Sequence, residues 1–182
     1  HNMKKILFAL CLFISSFFLF SALTPAQQAT LKADILADPA FAEIPLTGDG
    51  AWVIATEYNK VSAPAFYVWR TNVQADEIMR NGMDWTQVDN LSVGKARIWD
   101  WMTKLGTINA AKPNIRAGID ACWTGTAHML AVRAAIYLHL NRPATRFEKL
   151  FSTGTGTTVT PAVMAIEGDV SYQDVELARN SQ

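Results

Sequence analysis

Apolar and polar positions along the chain alternate with helical spacing over most of its length. Thr24-Pro25-Ala26-Gln27 reads as a helix start, with threonine as cap, proline in the first turn and glutamine placed to complete a capping box. Leu31, Ile35 and Leu36 then form a narrow apolar stripe that Asp38-Pro39 ends. Thr47-Gly48-Asp49-Gly50 reads as a turn or loop, followed by a short helix over Ala51–Tyr58 that Pro64 limits. Ala65–Thr71 is the best strand candidate, being dense in aromatic and β-branched residues; apolar side chains on both faces predict that it is covered on both sides. Val73–Arg80 reads as a helical turn.

The longest helical pattern runs from about Val88 to Leu105, where Leu91, Ile98, Trp101, Met102 and Leu105 make one broad face and Gly106 supplies a stop. Pro113 opens another helix, on which Ile115, Ile119 and Cys122 share a face and which Thr124-Gly125 breaks. A third helix covers about Thr126–Leu140, with Met129, Val132, Ile136 and Leu140 in register. Arg142-Pro143 is expected to kink or restart that helix, and Phe147, Leu150 and Phe151 to continue its apolar face. Thr153–Thr158 reads as a loop, Ala162–Ile166 as a second short strand, and Ser171-x-x-Asp174 as the cap of a last helix through Arg179. The expected fold is mainly α: a compact helical domain of five or six helices, with at most a small β-sheet or hairpin.

The first 22 residues stand apart. His1-Asn2-Met3 reads as a cloning remnant, and Lys4-Lys5 before the apolar run Ile6–Phe20 reads as a signal peptide or an anchor. Residues 23–182 are then expected to form a single helical domain. Removing the leader leaves 14 basic against 16 acidic residues, a net charge of −2, with no basic run. Direct, sequence-specific nucleic-acid binding is therefore not expected, and contact with a membrane only through the leader if it is retained. Cys11 lies in the leader and Cys122 in the domain, so a cleaved chain holds one thiol and its fold depends on packing.

Residue chemistry predicts no catalytic, cofactor-binding or metal-binding set. The Thr-Gly loop at 153–158 lacks the lysine and following helix that a phosphate-binding loop needs. His128 and His139, three turns apart on one helix, stand about 16 Å apart and cannot share a metal. Asp84, Asp89, Asp100, Asp120, Glu148 and Glu167 offer no pair at a distance that assigns acid and nucleophile roles. The aromatic residues carry more information. Trp99 and Trp101 lie about 200° apart on a helix and cannot both face the same way, so one of them is either a candidate for a partner surface or is covered on that second face by a small sheet. Trp69, Trp99 and Trp101 are the candidate interface residues.

From Leu23 onward the chain resembles an uncharacterised family encoded among the head and tail genes of tailed bacteriophages and prophages. The resemblance is carried by Thr24–Gln27 with Leu31–Ile35, Tyr58-Asn59, Phe66–Thr71, Val93–Trp99, Asn114–Gly118, Ala144–Phe151, Thr153–Gly156, Glu167–Asp169 and Ser171–Val175. It implies a virion structural or assembly protein of the connector, tail or capsid-accessory kind. Such a protein is no enzyme and needs no cofactor. It acts through protein–protein interfaces with other phage structural proteins and with copies of itself, in the host cytoplasm during assembly and then in the virion. The leader departs from that pattern. It points instead to an exported envelope or periplasmic binding protein, placed in the periplasm or inner membrane. A third alternative is an enzyme whose active site is dispersed along the chain.

Overall fold

The computed structural model describes residues 23–81 and 83–181; the leader at 1–22 lies outside the described residues. The fold is mainly α, with nine α-helices and three two-stranded sheets among the described residues. Their order is α1 (Pro25–Ala37), α2 (Gly48–Tyr58), β1 (Tyr67–Trp69), β2 (Val73–Gln74), α3 (Ala75–Arg80), α4 (Trp85–Asp89), α5 (Val93–Lys104), β3 (Thr107–Ile108), α6 (Pro113–Cys122), α7 (Ala127–His139), β4 (Asn141–Pro143), α8 (Arg146–Leu150), β5 (Ser152–Thr153), β6 (Val163–Met164) and α9 (Tyr172–Asn180). The excess over five or six helices comes from α3, α4 and α8, each too short to show a period. No described helix is long and apolar enough to cross a membrane.

Local chemistry accounts for most helix starts. Thr24 caps α1 in a full capping box with Gln27, Thr126 caps α7, and Ser171 caps α9 through the Asp174 amide. Thr47-Gly48-Asp49-Gly50 is not a loop: Thr47 caps α2 by accepting from the Gly50 amide, and the helix begins at Gly48. Gly50 is needed there, because a Cβ would stand 2.1 Å from the Pro45 carbonyl oxygen. The pattern from Val88 to Leu105 is two helices, separated where Ser92 leaves the helical conformation to cap α5.

Arg142-Pro143 neither kinks nor restarts a helix. It lies in β4, antiparallel to β1, with Trp69 opposite Asn141 and Tyr67 opposite Pro143. The other edge of β1 exchanges hydrogen bonds with Ala162, Tyr67 O accepting at 2.9 Å and the Trp69 amide donating at 2.9 Å. Both faces are covered, as the composition of the segment predicts: Val68 is fully buried and Trp69 nearly so. Val73-Gln74, expected in a helical turn, pairs instead with Thr107-Ile108.

The core has two main parts. One gathers Trp69, Val73, Ile78, Trp99, Ile108, Trp123 and the inward face of α7. The other gathers Leu31 and Ile35 of α1, Phe41, Ile54, Tyr58, Phe147 and Val175. Phe147 therefore does not continue the apolar face of α7; β4 turns the chain away and delivers α8 to the α1–α2–α9 side. Leu36, placed with Leu31 and Ile35 by spacing, is exposed. Between the two parts Val68, Ala144 and Ala162 pack where β1, β4 and the approach to β6 meet.

Candidate protein interface

The three candidate tryptophans separate. Trp69 lies inside the core, edge-on to Tyr137 at 5.7 Å and beneath the Arg116 guanidinium at 4.7 Å. Trp99 is 2% exposed and meets Trp123 edge-to-face at 5.3 Å. Neither ring is presented to a partner, which corrects the expectation for both. Trp101 is 67% exposed.

The rotation of α5 explains the difference. Its inward side is Trp99 and Met102, and Met102 sits against Gly118 of α6, its sulfur 3.3 Å from where a Cβ would be. The face expected to combine Leu91, Ile98, Trp101, Met102 and Leu105 is therefore split, with Leu91 and Met102 buried and Ile98, Trp101 and Leu105 exposed. On the outward side Gly94, Ile98, Trp101 and Leu105 follow at offsets of four, three and four, one stripe of a helix. Val93, Arg97, Asp100 and Lys104 repeat the same spacing alongside, and all eight residues are exposed. A groove of about 420 Å³ runs from this second stripe toward α4, with Val88, Leu91, Ala96 and Trp101 among its walls.

Elsewhere the charged side chains join elements. Arg146 donates to Asp38 at 2.6 Å and Asp34 at 3.0 Å and stacks over the Tyr58 ring at 4.5 Å, while the Tyr58 hydroxyl donates to Asp34. This cluster borders an open cleft of about 670 Å³ that Glu57, Lys60, Ser62 and Lys149 also line. Burial, reinforced by Asp34, pushes the Tyr58 hydroxyl well above the usual phenol range. The Ala40 amide and then Arg146 hold Asp38 below the usual carboxylate range. These two shifts carry their groups away from neutral pH, and the hydrogen bonds of the cluster tie α1, α2 and α8 together.

Arg142 gathers a second set that spacing does not reveal. It grips Glu148 with two bonds of 2.7 and 2.6 Å and reaches Glu167 at 3.3 Å. Glu148, 2% exposed, also accepts from the Thr145 and Gly168 amides at 3.0 and 2.9 Å. The Thr145-x-x-Glu148 spacing is a capping box and marks the helix, though not the arginine. Asp84, Asp89, Asp100 and Asp120 are exposed and scattered.

His139 contacts Glu77 at 3.6 Å and the Asn81 carbonyl at 2.9 Å, whereas His128 is exposed. Among the described residues no group of three or more His, Cys, Asp or Glu could hold a metal ion. Cys122 is buried beside Trp123, its thiol donating to the Lys95 carbonyl at 3.4 Å, and burial pushes it up from the ordinary thiol range. In the threonine-rich loop, Thr155 and Thr157 both bond the Thr160 hydroxyl. Set beside family models, curated proteins and solved structures, the chain matches none of them.

Proposed function

We propose that this protein is a structural or assembly component of a tailed-phage particle, of the connector, tail or capsid-accessory kind, and that it works through protein–protein contacts made by the outward face of α5. One observation carries the contact surface. Trp101, Val93 and the C-cap Leu105, 67%, 78% and 71% exposed, lie on the outward side of α5, whose inward side buries Trp99 and Met102. Isolated exposed apolar residues are common on protein surfaces, but a contiguous group with an exposed tryptophan marks a place where another surface sits. The phage context rests on the resemblance over residues 24–175, and the stretch Val93–Trp99 in that resemblance is the first half of α5.

Mass spectrometry of purified virions tests the reading, with the protein expected at a fixed copy number relative to the major structural proteins. Absence from particles and from assembly intermediates would sink it. Within the same experiment, Trp101→Ala is expected to lower incorporation while leaving the purified chain as stable as the parent.

A further inference from the structure

The two outward stripes of α5 share a spacing of four, three and four that is the same in both directions. From its N-terminal end the charged stripe runs Val93, Arg97, Asp100, Lys104, and the apolar stripe runs Gly94, Ile98, Trp101, Leu105. Laid antiparallel on itself about an axis near the middle of the helix, each stripe meets a complement. Arg97 faces the second copy's Asp100, and Asp100 its Arg97. Val93 lies under the aliphatic stem of Lys104, Ile98 meets Trp101, and Leu105 lies over Gly94. A Cβ built at Gly94 meets nothing within 4 Å, so there is open space for that leucine. Both stripes place the axis within half a residue of the level of Trp99, on the opposite side of the helix. A parallel arrangement about an axis along the helices would set the charged stripe of each copy on the apolar stripe of the other, so only the antiparallel one is complementary.

We infer that the occupant of this face is a second copy of the chain, docked about a two-fold axis with α5 antiparallel to its counterpart. This rests on reading α5 as a contact surface and adds the identity of one partner. The helix is about 18 Å long, so the ridge with its flanking groove buries an area at the lower end of specific interfaces, below about 1,200 Å² in total. An interface of this size belongs with weak, transient associations, and a micromolar dissociation constant, about 1–100 μM, is the expected range. Weak pairwise contacts of this kind become decisive when many copies are held in one assembly.

Sedimentation equilibrium of the full chain tests the arrangement through charge reversal. Arg97→Asp alone makes both cross-axis pairs acidic, and Asp100→Arg alone makes both basic. Each is expected to weaken dimerisation about tenfold, one decade being about 1.4 kcal/mol. In an equimolar mixture of the two variants, the acidic pair of one chain meets the basic pair of the other on both sides of the axis. The mixture is expected to recover the parent's affinity to within about threefold. The double reversal in one chain is expected to recover it as well. Trp101→Ala is expected to weaken association about 30-fold, a value typical of a central tryptophan anchor. Association driven by the apolar residues 6–20 is indifferent to these charges, so the pattern of loss and recovery reports on α5.

A parent that is monomeric at about 100 μM overturns the inference. So does association that the single reversals leave unchanged, or that mixing does not restore. A monomeric chain that is nonetheless found in virions, and lost from them by Trp101→Ala, would assign α5 to a different particle protein: the proposed function would stand and the two-fold dimer would fall. A dimer behaving as described in a chain absent from particles would do the reverse.

Discussion

Replacing Arg142 by methionine tests the most heavily buried ion pair directly. Glu148 has a side chain 2% exposed, Arg142 one 32% exposed, and their two bonds of 2.7 and 2.6 Å join β4 to α8. Burial by itself raises the Glu148 pKa, but the Arg142 bonds and the Gly168 and Thr145 amides outweigh it, and the carboxyl sits below its ordinary 4.5. Methionine keeps the length of the side chain along β4 and removes both charged bonds, each worth about 1.5–3 kcal/mol. The two amides still hold the carboxylate and Arg142 is itself partly hydrated, so the expected loss at about pH 7 is roughly 3 kcal/mol, the lower end for breaking a buried pair. For a domain of this size that corresponds to a fall in Tm of roughly 10 °C.

The sign of the pH dependence distinguishes this account from a simple packing defect. In the parent the folded pKa is depressed, so the contribution of Glu148 is complete above about pH 4.5 and is lost as pH falls through the lower folded value. In Arg142→Met the guanidinium's lowering contribution is gone while burial still raises the carboxyl, so the folded pKa rises from the parent's depressed value. The parent therefore gains stability over the variant as pH rises between their two folded values, in the acidic range around 4.5, and the difference between the two shrinks as pH is lowered through that window. Urea unfolding followed by tryptophan fluorescence at several pH values measures that difference. A deficit below about 1 kcal/mol, or one that does not change with pH across this window, would refute the reasoning.

Three further outcomes are expected. Gly156→Ala should destabilise the fold by about 2–3 kcal/mol in urea unfolding, because Gly156 sits at φ +66° and a Cβ would stand 2.1 Å from the Phe66 ring; an effect within about 0.5 kcal/mol would contradict that packing. Gly94→Ala, an exposed helical site with open space around the new methyl, should raise the thermal midpoint through a gain of about 0.5–1 kcal/mol, and at the same time weaken dimerisation. Cys122 should resist a thiol reagent in the folded protein and react once unfolded; peptide mapping that finds Cys122 modified at similar rates in both states would show that it is not buried as described.

What could be read from the residues alone was what is decided within a few neighbours. The capping box at Thr24 and the cap at Ser171 depend on side chains three positions away, and the inward face of α7 follows from its own spacing. Trp99 and Trp101 show the limit of this kind of reading. Their separation means that the two rings cannot share one face, but which of them is buried is decided by Trp123 and Gly118, which receive Trp99 and Met102. A preceding cap at Ser92 then sets where α5 begins and hence which stripe faces outward.

Arg142 and Pro143 were illegible for a different reason. A proline after a long helix ordinarily signals a kink, and only the distant segment Tyr67–Trp69 supplies the hydrogen-bonding partner that makes a strand of this one. The same long-range pairing brings Arg142 to Glu148 and Glu167 and sends Phe147 into the second part of the core. A single strand pairing thus decides three features that spacing assigned elsewhere. The surface of α5 is the opposite case. Once its rotation is known, the two outward stripes follow from residues 93–105 alone, and so does their symmetric spacing. The candidate site could therefore be half-read in advance: spacing set the two tryptophans on different faces, but which of them is exposed, and which glycine and charges lie alongside it, acquire meaning only after α6 has claimed the other side of the helix.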